Sequence, residues 1–202
     1  MICDKNEYSK RAIAAMEYFH DGYNCAQSVV LAFADLISSH SCKCGFGQIP
    51  KETILAVSGP FGGGMGRLRE VCGAVSGMFM VIGYLYGQSC EVSKKDAADA
   101  KSVKDAADAT SVKEAAYVDA DETLDENELA RQKKIQYSRV QELAKRFEEK
   151  NGSIICRELT GLAPTGPSPE QRNDEYYKKR PCEALVGDAV EILEAYIEKN
   201  PY

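Results

Sequence analysis

Residues 71–90, VCGAVSGMFMVIGYLYGQSC, carry no charged side chain over a length that could nearly cross a bilayer. The fold turns on whether this stretch is a membrane span or a buried helix. Four glycines, two serines, a glutamine and two cysteines dilute its hydrophobicity, and neither a basic cluster nor a second apolar segment accompanies it. A helix apolar all round belongs in a protein core as readily as in lipid, so the segment is predicted to be a buried central helix. Gly73 and Gly77 are spaced to let another helix approach closely, a pattern that also suggests a homodimer interface.

Working outward, apolar residues recur at helical spacing on both sides of this segment. Tyr8, Ala12, Ala15, Met16 and Phe19 define a first helix that breaks at Asp21-Gly22. A second follows Asn24, with Val29, Val30, Phe33, Leu36 and Ile37 on one face, and is expected to end in the polar run SSHSCKCGFG. Pro50 opens a short third helix, KETILAVS, that stops at Gly59-Pro60. Downstream, Gln136, Val140, Leu143 and Phe147 share one face before Asn151-Gly152, and Cys182, Leu185, Val186, Ala189, Ile192, Leu193 and Tyr196 form a final stripe. No sustained alternation reads as strands. The expected fold is an all-α, single-domain helical bundle over residues 1–202, with about five or six helices.

Charge is unevenly spread. The net charge of −6 lies wholly in residues 92–130, which carry 11 acidic and 5 basic side chains. Most of that span is an Ala/Asp/Lys-rich insertion, residues 92–128, built on the imperfect repeat SKKDAADAK, SVKDAADAT, SVKEAAY. Nine residues are about two and a half helical turns, so successive alanine pairs rotate to opposite faces and no apolar stripe forms. The remainder is balanced and offers no basic surface for a phosphate backbone, which argues against a nucleic-acid partner. The N-terminus, MICDKNEYSKRAIAAMEYF, resembles neither a secretory signal nor a transit peptide. A cytoplasmic location is expected, where eight cysteines point to metal ligands or redox thiols before permanent disulfides.

Four of those cysteines stand apart. Cys25 follows Asn24 and Cys182 follows Pro181, so each falls in the first turn of a helix, where free N–H groups and the helix dipole favour a thiolate. Cys72 heads the central helix, and Cys156 follows the Asn151-Gly152 break. The paired CxxC knuckles of a zinc finger or ribbon are absent. The run FGGGMGR before Cys72 lacks the GxxxxGK[ST] of a phosphate loop, so its glycines are expected to bring backbone close to a metal centre or a neighbouring helix. Arg67 and Arg69 could favour the Cys72 thiolate, and His20 could act as a base near Cys25, although a dipole role at a helix end suits it better. Cys42 and Cys44, beside His40, could form a small metal or disulfide site; Cys3 and Cys90 read as incidental. Tyr84 and Tyr86 read as packing.

The order GYNCAQSV, GPFGGGMGRLREVCGAVSGMFMVIGYLYG, GSIICRELTG and RPCEALV closely resembles the C_GCAxxG_C_C redox-active proteins, over residues 8–91 and 129–198. The signature falls on Cys25, the CGAVSG of Cys72 to Gly77, Cys156 and Cys182. The resemblance implies a mostly helical redox protein, with a relationship to split-Soret multihaem cytochromes that carry haem and an iron–sulfur centre. The chain has no CxxCH, so covalent haem is not expected. Four thiolates are the usual ligand set of a [2Fe–2S] cluster, so an iron–sulfur electron carrier working with a redox partner protein is the leading expectation. Its ligands would be the four signature cysteines, with Gly62, Gly63, Gly64 and Gly73 against the cofactor. The alternatives are a metal-free thiol–disulfide protein using the same cysteines as redox groups, and a zinc-binding or scaffold protein in which they are structural.

Overall fold

Asn24 and Gly22 set the first corner. The computed structural model describes residues 8–43, 47–87, 126–164 and 166–202. Among them nine α-helices run in the order α1 (Lys10–His20), α2 (Cys25–Ala32), α3 (Ala34–Lys43), α4 (Lys51–Ser58), α5 (Gly73–Tyr86), α6 (Glu126–Asn151), α7 (Cys156–Thr160), α8 (Asp174–Lys178) and α9 (Cys182–Lys199). A 3-10 turn, Gly59–Phe61, and a glycine turn, Gly62–Met65, join α4 to the loop before α5. No strand occurs among the described residues, so the all-α expectation holds.

The helix starts follow local chemistry. Ser9 caps α1 by accepting from Ala12 N–H at 3.1 Å, and Gly22, at φ +102°, turns the chain in a conformation that glycine adopts freely. Asn24 and Gln27 then form a reciprocal capping box on α2, Asn24 Oδ1 accepting from Gln27 N–H at 3.0 Å and Gln27 Oε1 from Asn24 N–H at 3.1 Å. Such a cap is worth about 1 kcal/mol, and here it fixes the helix that Cys25 begins.

The uncharged stretch is a core helix. In α5 Ala74, Val75, Met78, Val81, Ile82 and Leu85 are buried, and no helix among the described residues is long and apolar enough to cross a membrane. Its glycines serve α2. A Cβ on Gly77 would meet Ala26 O at 2.8 Å and Val29 Cβ at 2.9 Å, and one on Gly73 would meet Cys25 Cβ at 3.0 Å. The small-residue face is therefore filled within the chain, and it lends no support to a homodimer.

Around this pair, α1 packs on both α2 and α9, and α6 on α5 and α9. Tyr8 Oη donates to the buried Asp188 at 2.9 Å, and Lys150 Nζ reaches the same carboxylate at 2.8 Å, tying α6 and the N-terminal segment to α9. Leu143 and Phe147 of α6 and Leu185, Val186, Ala189 and Leu193 of α9 complete the core.

The helix count exceeds five or six for identifiable reasons. The expected second helix is two, because Phe33 leaves helical geometry at ψ 11°. The polar run after Ile37 does not end it: Ser38 to Lys43 continue α3, with His40 and Ser41 buried. The other additions are the short α7 and α8. Residues 126–128, assigned to the insertion from sequence, already belong to α6. The repeat, the rest of the insertion to residue 125, and Cys3, Cys44 and Cys90 lie outside the described residues.

Gly77→Ala tests the α2–α5 contact. The added methyl meets backbone that cannot rotate away, so the variant should lose about 1–3 kcal/mol in denaturant unfolding. An unchanged midpoint would contradict the close approach.

Candidate functional site

Two loops far apart in sequence are stitched together by main-chain hydrogen bonds. Cys72 N–H donates to Ile154 O at 2.8 Å, Cys156 N–H to Glu70 O at 2.6 Å and Arg157 N–H to Arg69 O at 3.0 Å, around an antiparallel bridge between Val71 and Ile155. This ladder sets Cys72 beside Cys156. The glycine turn folds over it: Gly63 and Gly64 take φ of +65° and +72°, and a Cβ on Gly64 would lie 2.6 Å from Cys156 Cβ. Only glycine passes there without displacing the thiol.

Cys25, Cys72, Cys156 and Cys182 all line a single cavity of about 50 Å³. Cys25, Cys156 and Cys182 are the first residues of α2, α7 and α9, and Cys72 is the N-cap of α5. All four are free thiols; Cys72, Cys156 and Cys182 are buried and Cys25 is half-buried. Cys182 lies within electrostatic reach of Cys25, and Cys72 within reach of Cys156 and Cys182. Among the described residues no three His, Cys, Asp or Glu side chains already enclose a metal position.

Of the four glycines expected against a cofactor, Gly63, Gly64 and Gly73 line the cavity. Gly62 instead packs on Asn24, where a Cβ would come within 2.6 Å of the Asn24 side chain, so it supports the cap of α2.

Burial sets the titration of Cys72 and Cys156 in the reduced protein. It pushes Cys72 from an ordinary 9.0 to about 12, although the N–H groups of Ala74 and Val75 face the sulfur and favour its thiolate without making a regular cap bond. Cys156 is also raised by burial, against the opposing pull of the Arg69 guanidinium. Cys182 is held well above its usual value by the neighbouring Cys25 thiol and then by burial. Without a compensating cation these sulfurs stay protonated.

The chain belongs to the C_GCAxxG_C_C family. The family model described as "Putative redox-active protein (C_GCAxxG_C_C)" matches residues 23–196, which include all four cavity cysteines. No curated protein and no solved structure matches the chain.

Several neighbours of the family signature escape a sequence reading. Arg69 is buried against Cys156, whereas Arg67 turns away to donate to Gly166 O at 2.9 Å and to Glu170 at 3.3 Å. Arg172 joins the cavity wall while donating to Phe19 O and Tyr23 O at 2.7 and 2.9 Å, and Arg180 stacks 4.4 Å over the Tyr176 ring. Paired aromatic and arginine residues in QRNDEYYKKR were the available signal. His20 faces outward to Glu183 at 2.9 Å, an acidic partner 163 positions on, and it does not line the cavity. Cys42 is exposed and His40 packs edge-on against Tyr202. Tyr86 packs between Tyr196 and Tyr202, as expected of a structural tyrosine.

In reduced, metal-free protein at neutral pH, iodoacetamide should label Cys42 and Cys25 well before Cys72, read by peptide mass spectrometry. The folded state holds the Cys72 proton up to about pH 12 while the unfolded chain releases it near 9.0, so the Cys72 contribution is constant below pH 9 and stability should fall as pH rises from there towards 12. Equal labelling of Cys25 and Cys72, or stability flat across that window, would contradict the burial.

Proposed function

We propose that Cys25, Cys72, Cys156 and Cys182 together hold an iron–sulfur cluster, [2Fe–2S], and that the protein carries electrons between partner proteins in the cytoplasm. What carries this reading is the convergence of four helix-start thiols on one buried cavity beside a buried arginine. That environment favours a group of net negative charge, and four neutral thiols leave it uncompensated. When bound, such a cluster supplies one-electron transfer at a potential set by the charge and hydrogen bonds around its sulfurs.

The residues divide the work plainly. The ladder through Glu70, Cys72, Ile154 and Cys156 holds two sulfurs in register, the Asn24 capping box presents the third, and Arg180 with Tyr176 packs beside the fourth. A bound cluster would require the four thiols as thiolates, and its iron would supply the positive charge that offsets their burial. Phe19 and Leu185 supply apolar surface to a wall that also carries Arg69, Arg172 and Arg180. No side chain here is set up as a general base for an organic substrate, which favours an electron carrier.

One juxtaposition favours a second reading. Cys25 and Cys182 line the same cavity as free thiols, and the pair could give up two protons and two electrons to an oxidised partner and join as a disulfide.

Protein purified without oxygen separates the two. The cluster reading predicts visible absorption from the near ultraviolet into the green, with iron and acid-labile sulfide at about two of each per chain. Single serine substitutions at Cys25, Cys72, Cys156 or Cys182 should each lower iron retention by at least about tenfold, a ligand counting for no less than the residues behind it. A colourless protein with a Cys25–Cys182 disulfide after mild oxidation would instead establish the second reading, and stoichiometric zinc would contradict both.

A further inference from the structure

Arg69 is the one polar side chain in the cavity wall whose hydrogen bonding is incomplete among the described residues. It is 3% exposed, and its Nε and Nη2 have no acceptor there. The nearest carboxylate oxygen, on Glu170, stands 3.7 Å from Nη2, beyond hydrogen-bond range. That carboxylate already accepts from Arg67 and Arg180, so one negative charge is shared among three guanidinium groups. A buried cation with idle donors destabilises a fold unless something meets it.

The backbone adds a second cost. Arg69 sits at φ +62°, a left-handed conformation that side chains other than glycine adopt with strain. The ladder bond from Arg157 N–H to its carbonyl holds it there. Glycine would suit this position better for folding alone. What arginine adds is a guanidinium delivered to the cavity next to the Cys156 sulfur.

We propose that Arg69 is the counter-ion of the cysteine centre, its Nε–H and Nη2–H donating to the anionic sulfur, thiolate or bridging sulfide, that the four cysteines gather. The inference rests on the cluster reading above and assigns the charge balance of that same site. A fixed positive charge beside the sulfurs favours the more negative, reduced state, so Arg69 raises the midpoint potential as well as the affinity for the group.

Full-length wild type, Arg69→Gly and Arg69→Lys, each with and without the cluster, test this. Glycine removes the strain and the unmet donors together, so the metal-free Arg69→Gly protein should unfold at no lower a temperature than metal-free wild type. Once loaded, the order should reverse. The loaded Arg69→Gly protein should shift its oxidised-to-reduced equilibrium at least about tenfold towards the oxidised state, about 59 mV for a one-electron couple, with Arg69→Lys recovering most of the shift. An Arg69→Gly protein that folds but no longer loads, while Arg69→Lys loads, supports the proposal equally. Equal loss of stability in both forms with an unchanged potential would assign Arg69 to packing and overturn it, leaving the cluster reading intact. Wild type that holds neither iron nor sulfide would overturn that reading, and this inference with it.

Discussion

Three main-chain hydrogen bonds between residues 69–72 and residues 154–157 hold the site together. They join the loop that enters α5 to the loop that leaves α6, and so place Cys72 and Cys156 side by side although the intervening chain includes a long helix. Each bond is worth only about 1 kcal/mol net. Their importance is geometric: they fix where α5 and α7 begin, and the thiols stand at those beginnings. The close contact of α2 on Gly73 and Gly77 brings in Cys25, and the packing of α9 on α2 and α5 brings in Cys182.

This arrangement opposes two effects on each sulfur. Helix starts and Arg69 favour negative charge, whereas burial disfavours it; in the reduced metal-free protein burial prevails at Cys72 and Cys156, and the neighbouring Cys25 together with burial prevails at Cys182. Such thiols are poor nucleophiles at neutral pH, which weakens a role in rapid thiol exchange. In the proposed reading a bound iron centre shared by the four sulfurs would supply the positive charge that offsets their burial. Glu170 then works from outside the cavity, linking Arg67 and Arg180 and anchoring the segment between α7 and α8 over the site.

What could be read from the sequence follows the range of the interactions involved. Cys25 and Cys182 declare themselves as helix-start residues because Asn24 and Pro181 are adjacent, and the central helix declares itself by lack of charge. Family membership was legible because the glycine run and the four cysteines occur in a specific order. The partnership of Cys72 with Cys156 was not, since it depends on a ladder between residues far apart in the chain. Arg69 reads locally only as a flanking charge; Arg67 shares its left-handed backbone, at φ +72° against +62°, yet only Arg69 is buried in the cavity wall, a difference with no local signal in MGRLREV. The continuation of α3 through SSHSC was missed because a polar run looks like a loop, although burial of His40 and Ser41 makes it pack. Glu183, the partner of His20, likewise comes into view only when α1 and α9 are set side by side.

If four distant sulfurs share one buried group, a crystal structure of protein isolated and crystallised without oxygen, with anomalous scattering recorded at the iron edge, will reveal it. The expected result is an anomalous peak in the cavity with density continuous to the Sγ atoms of Cys25, Cys72, Cys156 and Cys182. A cavity holding only solvent, or a peak bound by residues other than these four, would rule the shared centre out.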